Sequence, residues 1–205
     1  MAELPMFPLG TVLMPGGLLP LHVFEARYRE MVRVCLARER EFGVVLIERG
    51  SEVGGGDVRT DVGTLAHITD ASETPDGRWA VLAVGVRRVR VVEWLPEDPY
   101  PRAEVESWDD PPPADRFGEH LSAATGLLRR VVALKAEAGD AVAALPGELA
   151  DDPLLASYQA CWLAPVPVID KQRLLESETP EGRLELLERL LEEEAEVLQL
   201  RLGGA

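Results

Sequence analysis

The spacing of hydrophobic and polar residues differs between the two halves of the chain. In the first half, short apolar segments alternate with turn residues, which is typical of strands. Four segments are predicted strands: residues 42–49, 63–69, 78–95 and 100–108. In the third, Arg88 and Arg90 alternate with valines, the two-residue period of a half-exposed strand. Glycine and proline predict a flexible hairpin loop at residues 50–56 and a tight turn at residues 74–77. This half is therefore predicted to form a small sheet or barrel-like roll.

One amphipathic helix is predicted inside this β region, at residues 26–38. Its apolar positions recur at helical spacing: Tyr28, Met31, Val32, Cys35 and Leu36. Phe24 and Tyr28 are four residues apart, which predicts that both lie on one helical face over the sheet. Glu25 stands at the start of the helix, where the dipole favours a negative charge. Arg27 is predicted to pair with Glu25 or with a neighbouring strand.

A proline run, Asp109-Asp-Pro-Pro-Pro113, separates this β region from a helical one. Three consecutive prolines belong neither in a strand interior nor in a helix interior. We therefore predict two domains, residues 1–110 and 114–205. Helices are predicted at residues 116–138, 156–163 and 170–176, the third capped by Asp170, and a last helix begins after the cap Thr179 with Pro180 at its first position.

The last predicted helix carries more apolar residues than one packing face needs. A first stripe consists of Leu184, Leu187, Leu191, Ala195, Leu198 and Leu202. Beside it lies a second set: Leu186, Leu190, Val197 and Leu200. The second set has three alternative packing partners: other helices of a bundle, a second copy of the chain in a homodimer, or a bound polypeptide. Leu190 and Val197 are therefore weak candidates for a polypeptide-binding surface.

Charge and composition narrow the classes of partner. The chain has 205 residues, 46% of them hydrophobic and 28% charged, which is ordinary for a packed protein. Its net charge of −15 disfavours nucleic acid and anionic membrane surfaces, which both attract basic proteins. Residues 4–23 contain no charged side chain, but four prolines and three glycines would break a membrane-spanning helix there. Cys35 and Cys161 are predicted to be buried reduced thiols, and the expected compartment is the cytoplasm.

Motifs that carry chemistry are missing from the sequence. Neither lysine, Lys135 or Lys171, follows a phosphate-binding glycine loop, and there is no GxSxG or HExxH motif. The three histidines, His22, His67 and His120, are far apart in sequence, and no cysteine is spaced to share a metal with them. Gly54-Gly-Gly56 lacks the strand and helix of a dinucleotide site. We therefore expect no cofactor, no metal and no enzymatic activity.

The densest basic cluster consists of Arg87, Arg88 and Arg90. Contact with RNA is one interpretation of it. Pairing with acidic side chains on neighbouring strands is the simpler one.

The first thirty residues resemble a known family. Pro5-Met-Phe-Pro-Leu9, Val12-Leu-Met-Pro-Gly16 and the segment from Leu19 to Arg29 (LPLHVFEARYR) are similar to the opening of the Lon protease N-terminal domain, also called the Lon substrate-binding domain. Shorter segments look like its later strands and helices: Phe42-Gly-Val-Val45, Gly63-Thr-Leu-Ala66, Gly85-Val-Arg-Arg-Val89 and Lys171-Gln-Arg-Leu-Leu-Glu176. The resemblance covers most of the chain and is weaker between Pro111 and Pro153.

The resemblance implies an α+β fold. Its expected parts are a β roll of the pseudouridine-synthase-and-archaeosine-transglycosylase-like (PUA-like) type with an embedded helix, followed by a C-terminal α-helical bundle. Full-length Lon carries an ATPase module and a Ser-Lys protease downstream. This chain has no phosphate-binding loop and stops at Ala205, so the expectation is a standalone domain without either module.

The leading functional hypothesis is a non-catalytic module that recognises unfolded polypeptide or a protein partner. His22, Phe24 and Tyr28 are predicted to border its binding groove, although a purely structural role for them is the alternative. An RNA-binding module is the second hypothesis, which rests on the PUA-like fold alone. An unrecognised hydrolase is the third.

Overall fold

The computed structural model describes residues 1–50, 56–142 and 144–203. This part of the chain contains six strands and five helices, and the predicted α+β class is confirmed. The chain divides into two compact units, Met1–Asp109 and Asp110–Ala205. The first unit holds the six strands and one helix, and the second holds the other four helices.

Four strands of the first unit overlap the four predicted segments, and the two strands before the helix lie outside those segments. The strands are β1 (Ala2–Leu9), β2 (Leu18–Val23), β3 (Glu41–Arg49), β4 (Val58–Glu73), β5 (Trp79–Leu95) and β6 (Arg102–Ser107). Helix α1 (Ala26–Leu36) lies between β2 and β3, as predicted. Residues 51–55 of the predicted hairpin loop, which include Gly54 and Gly55, lie outside the described residues.

Five of the strands close into a ring. The sheet order is β2-β5-β4-β3-β1-β6, and an additional pairing of β6 with β5 closes the ring of β5, β4, β3, β1 and β6. β1 and β3 are parallel, whereas the other pairs are antiparallel. β2 is attached to the first part of β5, and the described residues give it no second strand neighbour. The edge of β2 therefore stays open.

The core of the first unit lies between α1 and the sheet. The Phe7 ring stacks on the Tyr28 ring with a centroid distance of 4.2 Å, which holds α1 against β1. The helix buries the apolar stripe that its spacing predicts: Tyr28, Met31, Val32 and Cys35. A second cluster fills the other side of the sheet around Met6, Val45, Leu65 and Val89. Burial raises the pKa of the Cys35 thiol to about 12.

Two predictions for this unit were wrong. Phe24 does not share a helical face with Tyr28, because α1 begins at Ala26 and Phe24 precedes it, 55% exposed. Arg88 was predicted on the exposed side of a half-exposed strand, but it is 1% exposed and lies against the Trp108 ring. The Arg88 and Arg90 guanidinium groups both lie 4.2 Å from the centroid of that ring.

The second unit contains α2 (Phe117–Glu137), α3 (Pro153–Leu163), α4 (Val168–Leu175) and α5 (Pro180–Gly203). Five residues of the predicted stripe on α5 are buried: Leu184, Leu187, Leu191, Ala195 and Leu198. The predicted cap of α5 is confirmed, because Thr179 Oγ1 accepts a hydrogen bond from the Gly182 amide at 3.1 Å. Asp170 was wrongly predicted to cap α4. That helix begins at Val168 after Pro167, and the Asp170 carboxylate instead pairs with Arg173 at 2.8 Å.

A fully buried arginine joins α5 to the start of the second unit. Arg183 is 0% exposed and forms an ion pair with Asp110. Its guanidinium lies 3.8 Å from the centroid of the Tyr158 ring and donates to the Tyr158 hydroxyl at 2.9 Å. Since a buried charge is costly without partners, this cluster ties the segment after the first unit to α3 and α5. Cys161 nearby is a buried free thiol, as predicted.

A glycine substitution in the sheet tests how tightly the sheet is packed, and a second glycine substitution in α2 is its control. A Cβ at Gly63 would meet the Val44 carbonyl oxygen and would lie 2.7 Å from Val45 Cγ1. We expect Gly63→Ala to lower the free energy of unfolding by about 1–3 kcal/mol. Gly126→Ala in α2 is the matched control, since a Cβ there meets nothing within 4 Å, and it should raise stability by about 0.5–1 kcal/mol. Urea unfolding followed by circular dichroism measures both changes, and an unaltered midpoint for Gly63→Ala would contradict the packing described.

Candidate functional site

Two cavities meet at the junction of β2 and α1. His22 and Phe24 line both of them, whereas Tyr28 lines the smaller one. The structure therefore brings the three candidate residues of the first unit together, although Phe24 and Tyr28 face different surroundings. Phe24 is more than half exposed, and Tyr28 is 3% exposed.

The larger cavity has a volume of about 550 Å³ and lies beside the hairpin that joins β4 to β5. Strand register places it there, because His22 is opposite Ala80 and Val23 is opposite Trp79. The tip of the hairpin supplies the remaining wall: Thr74, Pro75, Asp76 and Arg78. The turn at residues 74–77 was predicted from the sequence, but its contribution to a cavity was not.

Contacts from α1 hold this hairpin in place. The Arg33 guanidinium donates to the Glu73 carboxylate at 2.8 Å. Arg29 lies against Gly77, which adopts a positive φ of 77° and leaves no room for a Cβ beside that guanidinium. The wall of the larger cavity is therefore fixed to the helix.

The smaller cavity, of about 170 Å³, opens between β1, β2 and the start of α1. Buried side chains of the core line it from below: Phe7, Leu9, Val23 and Tyr28. Burial raises the pKa of Tyr28 to about 12 against the opposing effect of Arg27, so the phenol stays neutral. This cavity has room for one large apolar side chain.

A chain of charged groups fixes the start of α1. Arg27 pairs with Glu25 at 3.2 Å, as predicted, and also with Glu97 at 3.7 Å. Glu97 in turn accepts from Arg59 at 2.6 Å, and Arg59 binds both oxygens of Asp57. The network thus joins the helix, the start of β4 and the segment after β5. Sequence reasoning missed Arg59, Asp57 and Glu97 as a group because they come together only in the fold.

The network shifts the ionisation of its members. A hydrogen bond from Arg59 is the main cause that lowers the pKa of Asp57, against the raising effect of its burial. Burial would lower the pKa of Arg59, but the hydrogen bonds to Asp57 and Glu97 outweigh it and raise that pKa. Both groups therefore carry charge at neutral pH and hold each other in position.

The two candidates on α5 belong to the second unit. Leu190 is half-buried, whereas Val197 is 61% exposed and Leu200 79% exposed. They form a second candidate surface, made of one face of α5.

Side chains that bind metals are not grouped in the described part of the chain. No group of three or more His, Cys, Asp or Glu side chains is placed there to hold a metal ion. His120 Nδ1 donates a hydrogen bond to the Glu188 carboxylate at 2.8 Å, between α2 and α5. Among residues 1–50, 56–142 and 144–203, no helix is both long and apolar enough to cross a membrane.

Comparison with known proteins gives a consistent result. The sequence profile of the ATP-dependent protease La (LON) substrate-binding domain matches residues 3–193. The Lon protease of Anaeromyxobacter dehalogenans (strain 2CP-C) is 31% identical over 210 residues, which is 97% of this chain and 24% of that protein. Lon protease 2 of Myxococcus xanthus is 31% identical over 211 residues, 96% of this chain and 24% of that one. The chain thus spans about a quarter of the length of the curated relatives it matches.

Solved structures agree with the sequence comparison. The Lon N-terminal domain protein from Xanthomonas campestris superposes with a TM-score of 0.67 at 29% identity, covering 91% of this chain and 97% of that one. The N-terminal domain of the Mycobacterium avium complex Lon protease gives a TM-score of 0.64 at 17% identity, with 93% and 98% covered, which shows likeness of fold alone.

Removal of the Asp57 charge tests the network. Folding lowers the pKa of Asp57, so its ion pair stabilises the fold above about pH 4, the ordinary aspartate pKa, and this contribution is lost as the pH falls below it. We expect Asp57→Asn to cost about 1.5–3 kcal/mol at pH 7 and progressively less in acid. Urea unfolding across the pH range measures the difference. Asp70→Asn is the control, since Asp70 is exposed and forms no ion pair among the described residues; a pH-independent loss for Asp57→Asn would contradict the assignment.

Proposed function

The chain belongs to the Lon substrate-binding domain family, and from this premise we propose that it is a non-catalytic module that recognises unfolded polypeptide. The observation that carries the proposal is the pair of cavities meeting at the exposed Phe24. An exposed aromatic side chain between two partly apolar cavities suits the binding of apolar side chains. His22 and Tyr28 complete the proposed binding surface.

The finer architecture is part of the proposal. We infer a PUA-like β roll over residues 1–110 and a helical bundle over residues 114–205. The closed ring of five strands with its embedded helix supports the first assignment. The four helices of the second unit, with the buried stripe of α5 among them, support the second. The buried free thiols suit a reducing compartment, and we place the protein in the cytoplasm.

The surroundings of the nucleophilic and basic groups support a non-catalytic role. Lys171 Nζ donates to the Trp162 carbonyl oxygen at 2.8 Å, and Lys135 pairs with Glu194. Burial raises the pKa of the Cys161 thiol to about 12, so it carries no thiolate at neutral pH. Neither lysine is therefore placed to activate a serine, and an unrecognised hydrolase has no support from these groups.

The arginine cluster on β5 gives little support to RNA binding. Arg88 is buried, and both Arg88 and Arg90 lie against the Trp108 ring. Arg87 and Arg90 are exposed, but two exposed arginines in a chain of net charge −15 make a weak phosphate-binding surface.

A binding experiment with two probes tests the proposed function. Lysozyme whose disulfides are reduced and blocked with a neutral alkylating reagent provides a permanently unfolded basic polypeptide, and a structured RNA provides the competing ligand. We expect binding of the unfolded lysozyme with a shallow dependence on salt, since apolar burial is its main source. Fluorescence anisotropy over a salt series measures both ligands. Tight RNA binding with a steep salt slope would instead establish the phosphate-binding alternative.

Two alanine variants distinguish the two candidate surfaces. Phe24→Ala should weaken binding of the unfolded lysozyme by about 10-fold or more, because a phenylalanine buried on binding contributes roughly 1.5–3 kcal/mol. Val197→Ala on α5 is the matched control, since Val197 is also exposed and apolar. It should change the affinity less than about 2-fold. The reverse pattern would transfer the binding surface to α5 and remove His22, Phe24 and Tyr28 from it.

A further inference from the structure

The open edge of β2 presents main-chain groups that the fold does not use. The Gly85 amide donates to the Gly17 carbonyl at 2.9 Å, so the main chain of Gly17 faces β5. The main-chain N–H and C=O groups of successive residues in an antiparallel strand point to alternate sides. Those of Leu19 and Leu21 therefore also point toward β5, whereas those of Leu18, Pro20 and His22 point away from it. No described residue hydrogen-bonds to the main chain on that outer side of β2.

Pro20 makes a second copy of this chain a poor occupant of the edge. It has no N–H, so the edge offers two donors, from Leu18 and His22, and three carbonyl acceptors. If two copies paired antiparallel with Leu18 opposite His22, the two Pro20 residues would be opposite each other. Neither could donate there, and their rings would be in conflict. A segment with an ordinary residue opposite Pro20 avoids that conflict.

The lining of the smaller cavity comes from β1, β2 and the start of α1, away from β5, so this cavity lies where inward side chains of an added strand would go. The inner face of β2 carries Leu19, Leu21 and Val23, and the smaller cavity opens beside the last two. The outer face carries Leu18, Pro20 and His22, next to the larger cavity. Side chains of an extended segment alternate between these faces, so every second one can point toward the smaller cavity. The larger cavity is walled by Ala80 and by the hairpin, on the β5 side of β2.

The outer face continues as exposed apolar surface. Leu18 is 54% exposed, and its neighbours on β5 include Leu82 at 38% and Val86 at 44%. Such a row of apolar side chains on a sheet gives further area for the outward side chains of a seventh strand. The net charge of −15 favours a neutral or basic occupant over an acidic one.

We propose that β2 accepts an extended, neutral or basic polypeptide segment as an added strand, with an apolar side chain seated in the smaller cavity. The inference rests on the proposed function and adds the mode of binding to it. Main-chain hydrogen bonds to Leu18, Pro20 and His22 supply affinity for any extended segment, and the smaller cavity selects an apolar side chain.

A proline substitution tests the main-chain contact. His22→Pro removes one outward N–H without taking a hydrogen bond from the pairing with β5, since the main chain of His22 faces away from that strand. The probe is a fluorescent synthetic peptide in which valine and threonine alternate, with a lysine at each end. We expect His22→Pro to bind it about 5- to 10-fold more weakly than His22→Ala does, because both variants lack the imidazole and one also lacks the donor.

The outcomes separate the mode of binding from the proposed function. Equal affinities of the two variants, each well folded by circular dichroism, would overturn strand addition. The proposed function would still stand if wild type bound the peptide. Absence of binding by wild type to both this peptide and the unfolded lysozyme would overturn the proposed function itself. A wild-type dimer that His22→Pro converts to a monomer would identify a second copy as the occupant and overturn the proposal.

Amide hydrogen exchange gives a second measurement that needs no variant. The Leu18 and His22 amides should exchange rapidly in the unbound protein and at least 10-fold more slowly with saturating peptide. The Leu19 and Leu21 amides, which face β5, are the internal control and should change little. Unaltered exchange at Leu18 and His22 in the saturated complex would exclude pairing at this edge, even if His22→Pro failed to fold.

Discussion

Strand β5 is the element on which the rest of the first unit depends, because its two parts have different partners. β2 pairs with the first part of β5 and β6 pairs with the second part, while β4 pairs with residues of both parts. The change occurs near Gly85, which bonds to Gly16 and Gly17 through its main chain. A Cβ at Gly85 would lie 3.1 Å from the carbonyl carbon of Met14, so this close crossing requires glycine. The branch leaves β2 outside the ring and its edge open.

An open edge is useful only if its surroundings are rigid, and charged groups provide that rigidity here. The network from Glu25 to Asp57 holds the start of α1 beside the smaller cavity. The contacts of Arg29 and Arg33 hold the hairpin beside the larger one. Most of these pairs are partly exposed, and each alone contributes little. Their effect comes from joining elements that are distant in sequence, so that both cavities exist before any ligand arrives.

Local patterns predicted the elements because periodicity and caps are properties of short segments. The stripe from Tyr28 to Cys35 and the cap Thr179 are of this kind. The burial of Arg88 was not predicted because it involves Trp108, a residue that directly follows β6 and is distant in sequence. The candidate residues His22, Phe24 and Tyr28 came from a resemblance, whereas the cavities around them depend on the register of β2 against β5. Register joins residues about sixty positions apart, and no local pattern in the sequence specifies it.

Binding at a strand edge also explains how one surface could select unfolded chains without a sequence motif. Main-chain hydrogen bonds are the same for every residue except proline, so the edge recognises an extended main chain rather than a particular sequence. A folded protein has already paired the main chain of its apolar strands within its own sheets. An unfolded segment offers unpaired main chain and apolar side chains along its whole length, whereas a folded protein offers them only at a strand edge. Pro20 then has two effects, because the missing donor lowers affinity for every occupant and prevents full pairing between two copies of β2.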